Sequence, residues 1–98
     1  FFPQEKKYQY NTYHTFVIQV EKRDELQKFL LKKGINTAIH YPIPIHLQPA
    51  ARKLKYKLGN FPNTEKQARM ILTLPVHQYL TENEIKFITK TINEYFKK

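Results

Sequence analysis

The sequence predicts a small α/β (α+β) domain, helices packed on a short sheet of two or three strands, and three runs of residues carry that prediction. Residues 13–20 set Phe16, Ile18 and Val20 against Thr15, Val17 and Gln19, the two-residue period of a strand with one buried face. Leu26, Phe29 and Leu30 recur at helical spacing ahead of Gly34. Ile85, Ile88, Ile92, Tyr95 and Phe96 form an apolar stripe on a closing helix whose start is marked by the capping box Thr81-x-x-Glu84.

Between these runs the order of elements follows from local chemistry. Asp24 and Glu25 sit where a helix N-terminus favours negative charge, and Gly34 is the expected stop, with Ile35 packing back on the last turn. Residues 35–40 read as a second strand, completing a strand–helix–strand unit that leads into a proline-rich segment. That segment, His40-Tyr41-Pro42-Ile43-Pro44-Ile45-His46-Leu47-Gln48-Pro49, places three prolines within eight residues beside two imidazoles and a phenol. Each proline fixes its own φ and pushes its predecessor toward extended conformations, so the segment is expected to exclude helix and form a rod. On such a rod His40 and His46 share an edge, because six residues is a whole number of two- or three-residue repeats, and Tyr41 points elsewhere. Residues 48–58 suit a short basic helix with Pro49 in its first turn, broken by Gly59-Asn60. A further helix is expected from Pro62 onward, with Ala68, Ile71 and Leu72 on one face, running into an edge strand over residues 72–76.

Composition bounds the function. Ninety-eight residues, 41% hydrophobic and 14% aromatic, make one small domain with an adequate core. No serine and no cysteine occur, which removes nucleophilic triads, disulfides, zinc ribbons and thiol catalysis. Two glycines cannot supply a GxGxxG or P-loop phosphate cradle. The acidic residues lie mainly at helix starts or on helix surfaces, not as paired catalytic carboxylates. The two rod histidines would stand roughly 19 Å apart at about 3.1 Å per residue, too far for one zinc ion, and no metal site is expected.

The net charge of +9, from 17 Lys+Arg against 8 Asp+Glu, raises a second reading: a small basic RNA- or polyanion-binding module. Its charges are dispersed, and the dense run from Arg52 to Lys57 is explained by a solvated face. No RNP-like Gly/aromatic strand accompanies it, and nucleic acid is not the expected partner. No stretch is apolar enough for a membrane span and no secretory pattern opens the chain, so a cytoplasmic location is expected. The chain starts Phe1-Phe2-Pro3, without methionine, and reads as an excerpt of a longer protein.

The series Tyr13-His14-Thr15-Phe16-Val17-Ile18, Arg23-Asp24-Glu25-Leu26, Leu31-Lys32-Lys33-Gly34-Ile35, the proline-rich segment through Ala50, Gly59-Asn60-Phe61-Pro62, Glu65-Lys66-Gln67-Ala68, Ile71-Leu72-Thr73-Leu74-Pro75 and Leu80-Thr81 resembles the C-terminal part of the DegT/DnrJ/EryC1/StrS aminotransferases. The proline-rich element is the most specific part, and its intact form looks most like that of transaminases of dTDP-linked 3-keto-6-deoxyhexoses. The resemblance implies a type I aminotransferase whose large N-terminal domain binds pyridoxal 5'-phosphate (PLP) and whose small C-terminal domain closes over the site. Residues 13–98 would be that small domain and residues 1–12 a connecting segment. The implied partners are the large domain of the same chain, a keto-sugar nucleotide, an amino-acid donor and a second copy in a homodimer. Carried over by position, His40 and Tyr41, with His46 as a neighbour, fall where the small domain approaches the sugar nucleotide. The Schiff-base lysine, the carboxylate at the pyridinium nitrogen and the phosphate cradle have no counterpart motif here, so no catalytic or cofactor-binding residue is assigned. The excerpt alone is expected to bind no cofactor and to be inactive.

Overall fold

The computed structural model describes residues 1–97. Its regular elements are β1 (Phe16–Gln19), α1 (Arg23–Lys32), two 3-10 turns (Ile45–Leu47 and Pro49–Leu54), α2 (Pro62–Met70), β2 (Ile71–Leu74) and α3 (Glu82–Phe96). β1 and β2 pair antiparallel, Phe16 opposite Leu74 and Ile18 opposite Leu72. One face of this ribbon meets α1 and α3 in a core of Ile18, Leu26, Leu30, Ile35 and Leu72, against which Phe16, Phe29, Leu74, Ile88, Ile92 and Tyr95 pack. Mixed helix on a small sheet is the architecture the alternation and the two apolar stripes predict.

The end of α1 shows how the sequence enforces it. Gly34 takes φ +80, its amide donates to the Leu31 carbonyl at 3.0 Å, and the Ile35 amide donates to the Leu30 carbonyl at 2.9 Å. This reciprocal cap turns the chain back so that Ile35, 4% exposed, enters the core. At the other terminus of the domain, Thr81 and Glu84 form the predicted capping box: each side chain accepts from the other residue's backbone amide, at 3.2 and 2.8 Å.

The expected second strand over residues 35–40 is reduced to one bridge, Ala38 opposite Thr73. Extending this ladder would pair position 36 with Pro75, which has no N–H to give. It would also pair position 40 with Ile71, whose amide already donates to Gln67 and whose carbonyl accepts from Arg23 Nη1 at 2.6 Å. Both ends are therefore blocked. Arg23, buried by its place at the start of α1, uses its Nε on Asp24 at 2.6 Å and so ties the first turn of α1 to the first residue of β2.

The proline rod is likewise corrected. Pro44 precedes the first 3-10 turn and Pro49 opens the second, positions where a missing N–H costs nothing, so prolines that forbid an α-helix initiate turns instead. The basic helix expected to Leu58 stops at Leu54, because Lys55 adopts φ 59. Ile71 and Leu72 belong to β2 and not to the helix face, and β2 ends before Pro75 instead of running to Val76. On α3, Ile85 and Phe96 are about half exposed, at 50% and 54%, so only the middle of the predicted stripe is covered.

Candidate functional site

The bridge at Ala38 delivers the chain to His40 and Tyr41 at the sheet's second edge, on the face turned away from the α1–α3 core. Thr73 stands between Leu72 and Leu74 on β2, so the strand period turns its side chain to that face, where Oγ1 lies 2.9 Å from His40 Nδ1. His40 is exposed, Tyr41 is 70% exposed, and their rings meet edge to face at 5.3 Å. A donor-capable imidazole and a phenol thus stand side by side, open to solvent. Gln48 Nε2 donates to the Ile43 carbonyl at 3.1 Å and draws the segment between them, which holds Pro44, into a closed loop.

His46 goes elsewhere. The turn at Ile45–Leu47 carries its ring inward to 8% exposure, where Nε2 lies 2.8 Å from Glu65 Oε1. The two histidines therefore do not share an edge as an unbroken rod requires: one faces water, the other is enclosed. Glu65, on the first turns of α2 and 6% exposed, also accepts the Gly59 amide on both oxygens, at 2.8 and 3.0 Å. Phe61 meets His46 edge to face at 4.8 Å and Tyr56 in the same way at 5.0 Å. One carboxylate thus clasps the proline-rich loop, the glycine turn and the start of α2 together.

Burial alone would raise the Glu65 pKa, but the His46 hydrogen bond and the Gly59 and Phe61 amides outweigh it and hold the group below its ordinary 4.5. Because the folded value is the lower one, the clasp stabilises the fold above pH 4.5 and loses that contribution as pH falls through the depressed value. The expected result is that the stability gap between the chain and its Glu65→Gln variant, read by urea denaturation, is widest at neutral pH and narrows in acid. A gap independent of pH would show that the carboxylate charge plays no part.

Glu65, Thr73 and Arg23 are the residues that sequence reasoning missed. Glu65 has a readable signal in hindsight: a carboxylate three residues beyond a helix-opening proline, close after a glycine turn. Thr73 has none, since a threonine in a strand is ordinary. The run Arg52 to Lys57 is exposed throughout, as a solvated face requires. Among the described residues no cluster of three His, Asp or Glu could hold a metal, and no helix is long and apolar enough to cross a membrane.

Known proteins share this arrangement of elements. DesV of S. venezuelae, solved in complex with a ketimine intermediate, superposes with a TM-score of 0.80 at 35% identity, over 84% of this chain and 22% of its own. An aminotransferase from Brucella abortus superposes with a TM-score of 0.73 at 35% identity, over 83% of this chain and 22% of its own. In sequence, a pleiotropic regulatory protein of Geobacillus stearothermophilus is 40% identical over 97% of this chain and 26% of its own length. A dTDP-3-amino-3,4,6-trideoxy-alpha-D-glucose transaminase of Streptomyces venezuelae is 35% identical over 85% of this chain and 22% of its own length. The chain spans about a quarter of the length of these curated relatives. With the family model matching residues 1–93, nearly everything from the N-terminal segment to the end of α3, the chain belongs to the DegT/DnrJ/EryC1/StrS aminotransferase family.

Proposed function

We propose that this chain is the substrate-facing C-terminal domain of a PLP-dependent aminotransferase that transfers an amino group to a keto-sugar nucleotide in amino-sugar biosynthesis. The observation that carries the reading is the open His40–Tyr41 edge, held on one side by Thr73 and braced from the loop beyond by the His46–Glu65 clasp. Such an edge binds and orients; it does not by itself make or break bonds. Relatives named as transaminases of dTDP- and UDP-linked sugars favour a sugar nucleotide as the ligand.

The cofactor would supply the electron sink for amino transfer. Every described lysine is solvent-exposed, so these residues do not build a PLP site. That site is left to the large domain. The apolar groove of half-buried Phe16, Leu74, Pro75 and Leu80 with exposed Ile85, between the ribbon and α3, suits packing by the remaining polypeptide. Residues 13–98 form the small domain in this reading, with 1–12 connecting, in a cytoplasmic homodimer.

His40 and Tyr41 touch the sugar nucleotide. His46 supports the loop that carries them, since its Nε2 is engaged by Glu65. The test is an assay of the complete polypeptide with PLP, a dTDP-linked 3-keto-6-deoxyhexose or UDP-linked 3-keto sugar, and a panel of amino-acid donors. Amino-sugar product from the complete polypeptide and none from the 98-residue chain is expected. Product from the chain alone, or from no keto-sugar nucleotide at all, would overturn the reading.

A further inference from the structure

The Thr73 hydroxyl decides what His40 can offer a ligand. Thr73 is 7% exposed, and its backbone is fixed by exchanged hydrogen bonds with Ala38, Thr73 N–H to Ala38 O at 2.7 Å and Ala38 N–H to Thr73 O at 3.1 Å. Two residues further along the same bridge, His40 Nδ1 stands 2.9 Å from Thr73 Oγ1. Either group can donate across this contact, and the choice fixes the tautomer of the ring. Were Nδ1 the donor, the Thr73 proton would need a second acceptor in a buried place, and a buried donor without one is costly. Among the described residues His40 is the only hydrogen-bond partner of that hydroxyl. The hydroxyl therefore donates to Nδ1. The ring proton then resides on Nε2, which has no partner among the described residues and belongs to an exposed side chain.

We infer that Thr73 is a positioning residue that holds His40 in the Nε2–H tautomer and presents that N–H as a hydrogen-bond donor to an oxygen of the bound sugar nucleotide. The inference deepens the substrate role proposed for His40 and rests on it. A threonine at this point of β2 does what valine, its closest match in shape, cannot: it buries as well and still supplies a proton.

The test uses the complete enzyme labelled with ¹⁵N-histidine, in wild-type, Thr73→Val, Thr73→Ser and His40→Ala forms, the last identifying the His40 signal. The ¹⁵N shifts give the tautomer without any substrate, and steady-state kinetics with a dTDP-linked 3-keto-6-deoxyhexose gives the consequence. Expected are an Nε2–H ring in wild type and Thr73→Ser, a mixed or reversed tautomer in Thr73→Val, and a KM for the sugar nucleotide raised roughly 2- to 12-fold in Thr73→Val but not in Thr73→Ser, the range of one neutral hydrogen bond. The KM for the amino donor should not move. An Nδ1–H ring in wild type, or a tautomer indifferent to Thr73→Val, overturns the inference whatever His40 does for the substrate. A tautomer that responds while both Thr73→Val and His40→Ala leave kcat/KM unchanged overturns the substrate role of His40, and the positioning role falls with it.

Discussion

Leu72→Ala is expected to unfold the domain at far milder conditions than the parent chain. Leu72 is fully buried, pairs with Ile18 across the ribbon, and lies in the cluster that joins the sheet to Leu26 and Leu30 of α1. Truncation removes the transfer energy of its side chain and leaves a cavity that a two-stranded sheet pinned by Arg23 and Ala38 cannot close by shifting. A loss of about 2–5 kcal/mol follows, which for a domain of this size lowers Tm by roughly 10 °C or more. Urea denaturation of the two chains measures it. A loss below about 1 kcal/mol would mean that the core is not centred where β2 meets α1.

His40→Ala and Tyr41→Phe are expected to do the opposite, damaging turnover while sparing the fold. Tyr41 is 70% exposed, and its hydroxyl has no partner among the described residues, so losing it removes no internal contact. Removing the exposed His40 ring opens the Thr73 hydroxyl to water, which takes over its hydrogen bond, and Tm should stay within a few degrees. In the complete enzyme each change should lower kcat/KM for the sugar nucleotide roughly 10- to 150-fold, corresponding to about 1.5–3 kcal/mol for a hydrogen bond to a charged ligand group. If either variant melted much earlier and kept its specific activity per folded enzyme, the residue it replaces would be structural.

The fold was legible where one residue type settles a local choice. Gly34 with Ile35 stops α1, Thr81 with Glu84 starts α3, and alternation writes β1. It was illegible where the outcome depended on a distant partner. Residues 35–40 have the composition of a strand, but whether they make a ladder is decided by Pro75 and by the Arg23 guanidinium on Ile71, which are far away in sequence. The prolines near His46 restrict φ without saying whether the chain runs straight or turns, and the Glu65 carboxylate, 19 residues on, rewards the turn.

The site divides the same way. A motif resemblance singles out His40 and Tyr41, and the structure sets them at an open edge. Periodicity cannot reveal that His46 faces inward or that Thr73 lies under His40, since both depend on contacts made only once β2 and α2 are in place. The basic run Arg52 to Lys57 drew attention by its charge alone, and it folds into an exposed turn that no described acidic partner meets.

The claim that the His40–Tyr41 edge serves the sugar nucleotide is tested most directly by timing the two half-reactions of the complete enzyme separately, by stopped-flow absorbance of the cofactor. With His40→Ala or Tyr41→Phe, the half-reaction with the amino-acid donor should run at the wild-type rate and the half-reaction with the keto-sugar nucleotide should slow by at least about tenfold. Equal slowing of both halves, or no slowing of the sugar half, would contradict a substrate-facing role for this domain.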